Sequence, residues 1–94
     1  MDRHELSRLL RDELAEALTD MGDLLEPMSV ESVTPPRVLE AGASFRVRLL
    51  ASRGRRLDAD LPANLAIGYL ADEEAAVDEF RQWLYEQRKK LTRP

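Results

Sequence analysis

The chain has 94 residues, of which 44% are hydrophobic and 34% charged, with a formal charge of −4. That length suits one core, and that apolar content is too high for a chain that stays unfolded. No apolar run approaches the roughly 20 residues of a membrane-spanning helix, and the lack of cysteine excludes disulfides and thiolate metal sites.

The opening Met1-Asp2-Arg3-His4-Glu5 leads straight into a charged helical pattern without an apolar leader, so a cytoplasmic setting is expected. Asp2 is placed to cap the first helix, and Glu5, three residues on, to reach back in a variant of the capping box. Leu6, Leu9, Leu10, Leu14, Ala17, Leu18 and Met21 recur at spacings of three and four, which gathers them on one stripe. Gly22 suits the left-handed end of that helix, and Pro27 prevents its resumption.

Between Met28 and Glu40 the pattern is mixed. Met28 and Val30 alternate with Ser29 and Glu31, then Val33 breaks the alternation and Pro35-Pro36 removes two backbone donors. An edge strand with a bulge or break is expected. A turn around Ala41-Gly42-Ala43 places either Val38 or Leu39 towards the core.

Residues 44–61 are the most informative. Phe45, Val47 and Leu49 alternate with Arg46, Arg48 and Leu50; further on, Leu57, Ala59 and Leu61 alternate with Asp58 and Asp60. A two-residue turn at Arg53-Gly54 would mix the two faces. A three-residue loop, Ser52-Arg53-Gly54, sets Phe45 opposite Leu61, Val47 opposite Ala59 and Leu49 opposite Leu57. It also puts glycine where that loop needs a left-handed residue. Register and turn chemistry therefore select the same hairpin. Its outer face then carries Arg46 opposite Asp60 and Arg48 opposite Asp58, pairs that neutralise the surface and add only a few tenths of a kcal/mol each.

Pro62 ends that strand. Leu65, Ile67 and Tyr69 alternate with Ala66, Gly68 and Leu70, which reads as a fourth short strand, with a helical turn as the alternative. Asp72, followed by Glu73 and Glu74, is placed to cap the last helix. Val77, Phe80, Leu84 and Leu91 form its inner stripe with Trp83 at the border, and Arg88, Lys89 and Lys90 complement its carboxyl end. The architecture expected is one α+β domain over residues 1–94, ordered α-β-β-β-β-α. An antiparallel sheet of three or four strands has amphipathic helices from both ends of the chain packed on one face.

Candidate sites are few. His4, the only histidine, stands at a helix start with nothing to orient it for catalysis. Asp58 and Asp60 share a strand face, a spacing able to serve a hard cation, but the opposing arginines compete for those oxygens. Neither a metal nor another cofactor is expected. Arg53, Arg55 and Arg56 cluster at the hairpin tip and, with Arg37, form a candidate phosphate contact. The net charge and the lack of aromatic residues on the outer face weaken that reading. Leu39, Leu50, Trp83 and Tyr85 are the candidate protein interface, with Arg81 placed to cover the Tyr85 ring.

Residues 1–27 carry a net charge of −5, residues 28–71 +2 and residues 72–94 −1, so the centre is relatively basic. The single asparagine and two glutamines follow a thermophile tendency, whereas the twelve arginines against two lysines can also reflect genome composition alone. An enzyme is the class these residues support least. They point to a non-catalytic protein-interaction or homodimerisation module. The alternatives are a nucleic-acid contact through the hairpin tip and, by analogy of size and acidity alone, a small chaperone.

Overall fold

The amino-terminal stripe forms α1, Arg3–Asp20, in a computed structural model that describes residues 2–20, 28–40, 42–51 and 54–92. Leu6, Leu10, Leu14 and Leu18 are buried on its inner side, and the Asp2 carboxylate accepts the Glu5 N–H at 2.8 Å, as the cap requires. Met21, Gly22 and Pro27, assigned above to the helix end, lie outside the described residues, as does the side chain of Leu91.

Three strands follow: β1, Met28–Thr34; β2, Ser44–Ala51; and β3, Arg56–Pro62. They form an antiparallel sheet in the order β1-β2-β3. The hairpin register is the expected one, with Phe45 opposite Leu61, Val47 opposite Ala59, Leu49 opposite Leu57, Arg46 opposite Asp60 and Arg48 opposite Asp58. Ser52 and Arg53 lie outside the described residues, but both flanks of the loop are in place. The Ala51 N–H donates to the Arg55 carbonyl at 2.8 Å and the Gly54 N–H to the Ala51 carbonyl at 3.1 Å. Gly54 takes a φ of 77°, the left-handed value that favours glycine there.

β1 is an edge strand with a bulge between Val30 and Ser32. The extra residue, Glu31, resets the alternation. Val30 pairs with Leu49 before it and Val33 with Val47 after it, so both valines join Met28 on the core side. Beyond the strand Leu39 packs against the core, whereas Val38 is exposed. The Arg3 guanidinium donates to the Pro36 and Arg37 carbonyls and ties this connection to the start of α1.

The carboxyl-terminal third departs from the alternation reading. No fourth strand forms at residues 62–71. Ala63–Leu70 is a helix, α2, which starts directly after β3 and is fastened by the Ala63 N–H to the Ala43 carbonyl at 2.9 Å. Ala63, Ala66 and Gly68 are its buried residues, and alanine favours a helix. Gly68 permits close helix contact, because a Cβ there would meet the Ala76 Cβ at 2.7 Å.

The last helix, α3, runs Glu74–Thr92. Asp72 does not cap it. With a φ of 58°, Asp72 takes the left-handed position just past α2; its N–H donates to the Tyr69 carbonyl and the Glu73 N–H to the Gly68 carbonyl, which closes α2 in a Schellman motif. The Glu73 carbonyl accepts the Val77 N–H and starts the α3 ladder one residue later.

All three helices contribute to one core on one side of the sheet. It joins the α1 leucines, Phe45, Val47, Leu49 and Leu61 of the sheet, Ala63 and Ala66 of α2, and Phe80 and Leu84 of α3. The Tyr69 ring stacks on Phe80 at 3.9 Å. Among the described residues no helix is long and apolar enough to cross a membrane.

Candidate interaction surface

Because successive strand residues point to opposite faces, the inward set of β2 and β3 leaves a polar outer face. Three cross-strand rows run over it: Thr34, Arg46 and Asp60; Ser32, Arg48 and Asp58; Ser29, Leu50 and Arg56. Arg48 grips Asp58 through two bonds, Nε to Oδ1 at 2.8 Å and Nη2 to Oδ2 at 3.2 Å, the forked geometry that guanidinium and carboxylate favour. Arg46 Nε stands 3.7 Å from Asp60 Oδ1. Arg56 Nε lies 3.1 Å from Glu31 Oε2, an ion pair that reaches over β2 from one edge strand to the other.

The hydrogen bond from Arg48 holds the Asp58 carboxyl below the usual range, helped by the charges of Arg46 and Arg56. The same bond raises Arg48, with Glu31 adding a smaller pull. Three arginines and three carboxylates on this face therefore compensate one another. Leu50 sits among them, half-buried.

The four candidate interface residues do not form one patch. Leu39 is half-buried against the core, on the opposite side of the sheet from Leu50. Trp83 also packs against the core, and its indole N–H donates to the Asp60 carbonyl at 3.0 Å. That bond brings α3 to β3, on the side of the strand away from β2, and occupies a backbone acceptor there. Tyr85 is 50% exposed on α3, beside Arg81, Gln82 and Glu86, which line a shallow groove with it. The cation over its ring is Lys89, at 5.1 Å from the centroid, in place of the expected Arg81.

Of the candidate phosphate contacts, Arg53 lies outside the described residues, and Arg55 is exposed with its carbonyl closing the loop. Arg56 is engaged by Glu31, and the exposed Arg37 offers its carbonyl to Arg3. His4 is exposed.

Two features escaped the sequence reading. Glu31 serves the outer face, a role signalled by its place where the alternation breaks. Arg88, expected to complement the end of α3, is 2% exposed. Its spacing from Phe80 and Leu84 puts it on their stripe, although arginine is seldom fully buried.

No protein-family model, curated protein or solved structure matches this chain.

Proposed function

We propose that the chain is a non-catalytic interaction module that binds protein, a second copy of itself first of all. One observation carries the reading: among the described residues no helix lies over the outer sheet face, and its charges are matched within the chain. A surface without net charge repels neither a partner nor its own copy, whereas a surface of one sign would. Leu50 adds apolar area within that face. The nucleic-acid alternative draws less support, since Arg56 is held by Glu31 and the face offers no surplus of positive charge. A cytoplasmic location belongs to the same proposal and rests on the cysteine-free sequence.

Light scattering on the size-fractionated chain tests self-association. The expected mass rises with concentration between roughly 10 µM and 1 mM, the range in which weak protein pairs form. A constant monomer mass throughout would remove self-association from the reading.

A further inference from the structure

We infer that the partner on the outer sheet face is a second copy of this chain, docked face to face about a twofold axis running along the strands between β2 and β3. The inference rests on the self-association proposed above and adds the surface and the symmetry.

Its basis is the order of the charges. On the outer face β2 presents Arg46 and Arg48, and β3 presents Asp60 and Asp58 in the same two rows. A positive column thus stands beside a negative one, at the strand spacing of about 4.8 Å. Rotation by a half turn about a line midway between the columns, parallel to the strands, exchanges left for right and keeps each row at its own height. Arg46 of one copy then lies over Asp60 of the other, and Arg48 over Asp58, twice each by symmetry. An axis running along β2 would stack arginine on arginine, and an axis along β3 aspartate on aspartate. The third row fits the same operation, placing Leu50 over the aliphatic stem of the other copy's Arg56.

The side chains concerned are accessible. Those of Arg46 and Asp60 are each 65% exposed, and those of Arg48 and Asp58 are 46% and 43% exposed. Each guanidinium already bound to a carboxylate beside it keeps further donors for one above it. The face is also small, roughly 14 by 23 Å from strand spacing and rise, well under the standard interface of about 800 Å² per partner. The dimer is therefore weak, hydrated and salt-sensitive. A foreign protein docking here would need the same paired columns, whereas a second copy has them by identity.

Sedimentation equilibrium of the full chain tests this, from roughly 10 µM to 1 mM at low and high salt. The wild type is expected to dimerise and to dissociate as salt rises. Two variants carry one sign in the two charged rows: Arg46→Asp with Arg48→Asp, and Asp58→Arg with Asp60→Arg. Each is expected to dimerise at least about tenfold more weakly alone, and an equimolar mixture to recover a heterodimer. A third variant, Arg48→Asp with Asp58→Arg, exchanges one row, keeps its ion pair within the chain and preserves the match between copies; it is expected to fold and to dimerise. Circular dichroism establishes folding in each case. If the one-sign variants dimerise like the wild type, or the exchanged chain is folded and monomeric, the face assignment falls while self-association stands. A wild type that stays monomeric overturns both.

Discussion

At the scale of single residues, two positions show how close packing and charge act through individual atoms. Gly68 lies where α2 meets α3, and a Cβ there would stand 2.7 Å from the Ala76 Cβ. That neighbour is fixed to the backbone, so it cannot swing aside. Gly68→Ala is expected to destabilise the fold by about 1–3 kcal/mol, read as a lower urea midpoint. Asp58 illustrates charge. Its folded carboxyl titrates below the usual range because Arg48 donates to the ionised form, and the Asp2 carboxyl is lowered by the Glu5 N–H. A lowered folded value means that these groups add stability above the ordinary carboxylate range. The contribution fades as pH falls through the lowered folded value. Thermal melts of Asp58→Asn are therefore expected to show a shallower acid decline than the wild type. An identical decline would show that the Arg48 pair adds nothing to folding.

At the scale of elements, the sheet edges are treated differently. β1 carries the Glu31 bulge, which interrupts regular pairing along that edge. β3 is met by α3, and the Trp83 indole takes the Asp60 carbonyl. Trp83→Phe keeps an aromatic ring but removes the donor, with an expected loss of about 1 kcal/mol. Hydrogen exchange should show faster opening of β3 relative to β2 in that variant, since its edge loses the tie to α3. The hairpin was legible in advance because inward alternation and the left-handed Gly54 impose the same register. Residues 63–70 were not. Leu65, Ile67 and Tyr69 satisfy a strand alternation, yet Ala63 and Ala66 satisfy a helical spacing equally well. In eight residues periodicity alone does not separate the two. Burial of the two alanines in the core and the seat of Gly68 against Ala76 favour the helix.

At the scale of the whole molecule, opposite charges lie close together on the outer face of the sheet. Three of the six arginines in the central segment, Arg46, Arg48 and Arg56, are met there by Asp60, Asp58 and Glu31, and the surplus acid belongs to the two end segments. The chain is accordingly expected not to retard a short DNA or RNA duplex in a gel at low ionic strength. Retardation that disappears with added salt and with alanine at Arg53, Arg55 and Arg56 would instead establish the hairpin tip as a phosphate contact. Of the candidate interface, only the outer-face composition could be read ahead, because strand alternation assigns each side chain a face. The dispersal of Leu39, Leu50, Trp83 and Tyr85 over separate surfaces depends on how α3 and the connection after β1 pack.

Features encoded within about a dozen neighbouring residues were open to inspection before folding: the capped α1 stripe, the three-residue hairpin loop and its paired faces, and the amphipathic last helix. Periodicity and turn chemistry act locally, so distant partners are not needed to establish them. Packing settled the rest: the helical state of residues 63–70, the inward turn of Val33 after the bulge and the burial of Arg88. Each of these depends on which surface arrives opposite, and burial against a partner far along the chain outweighs a local preference of a few tenths of a kcal/mol per residue.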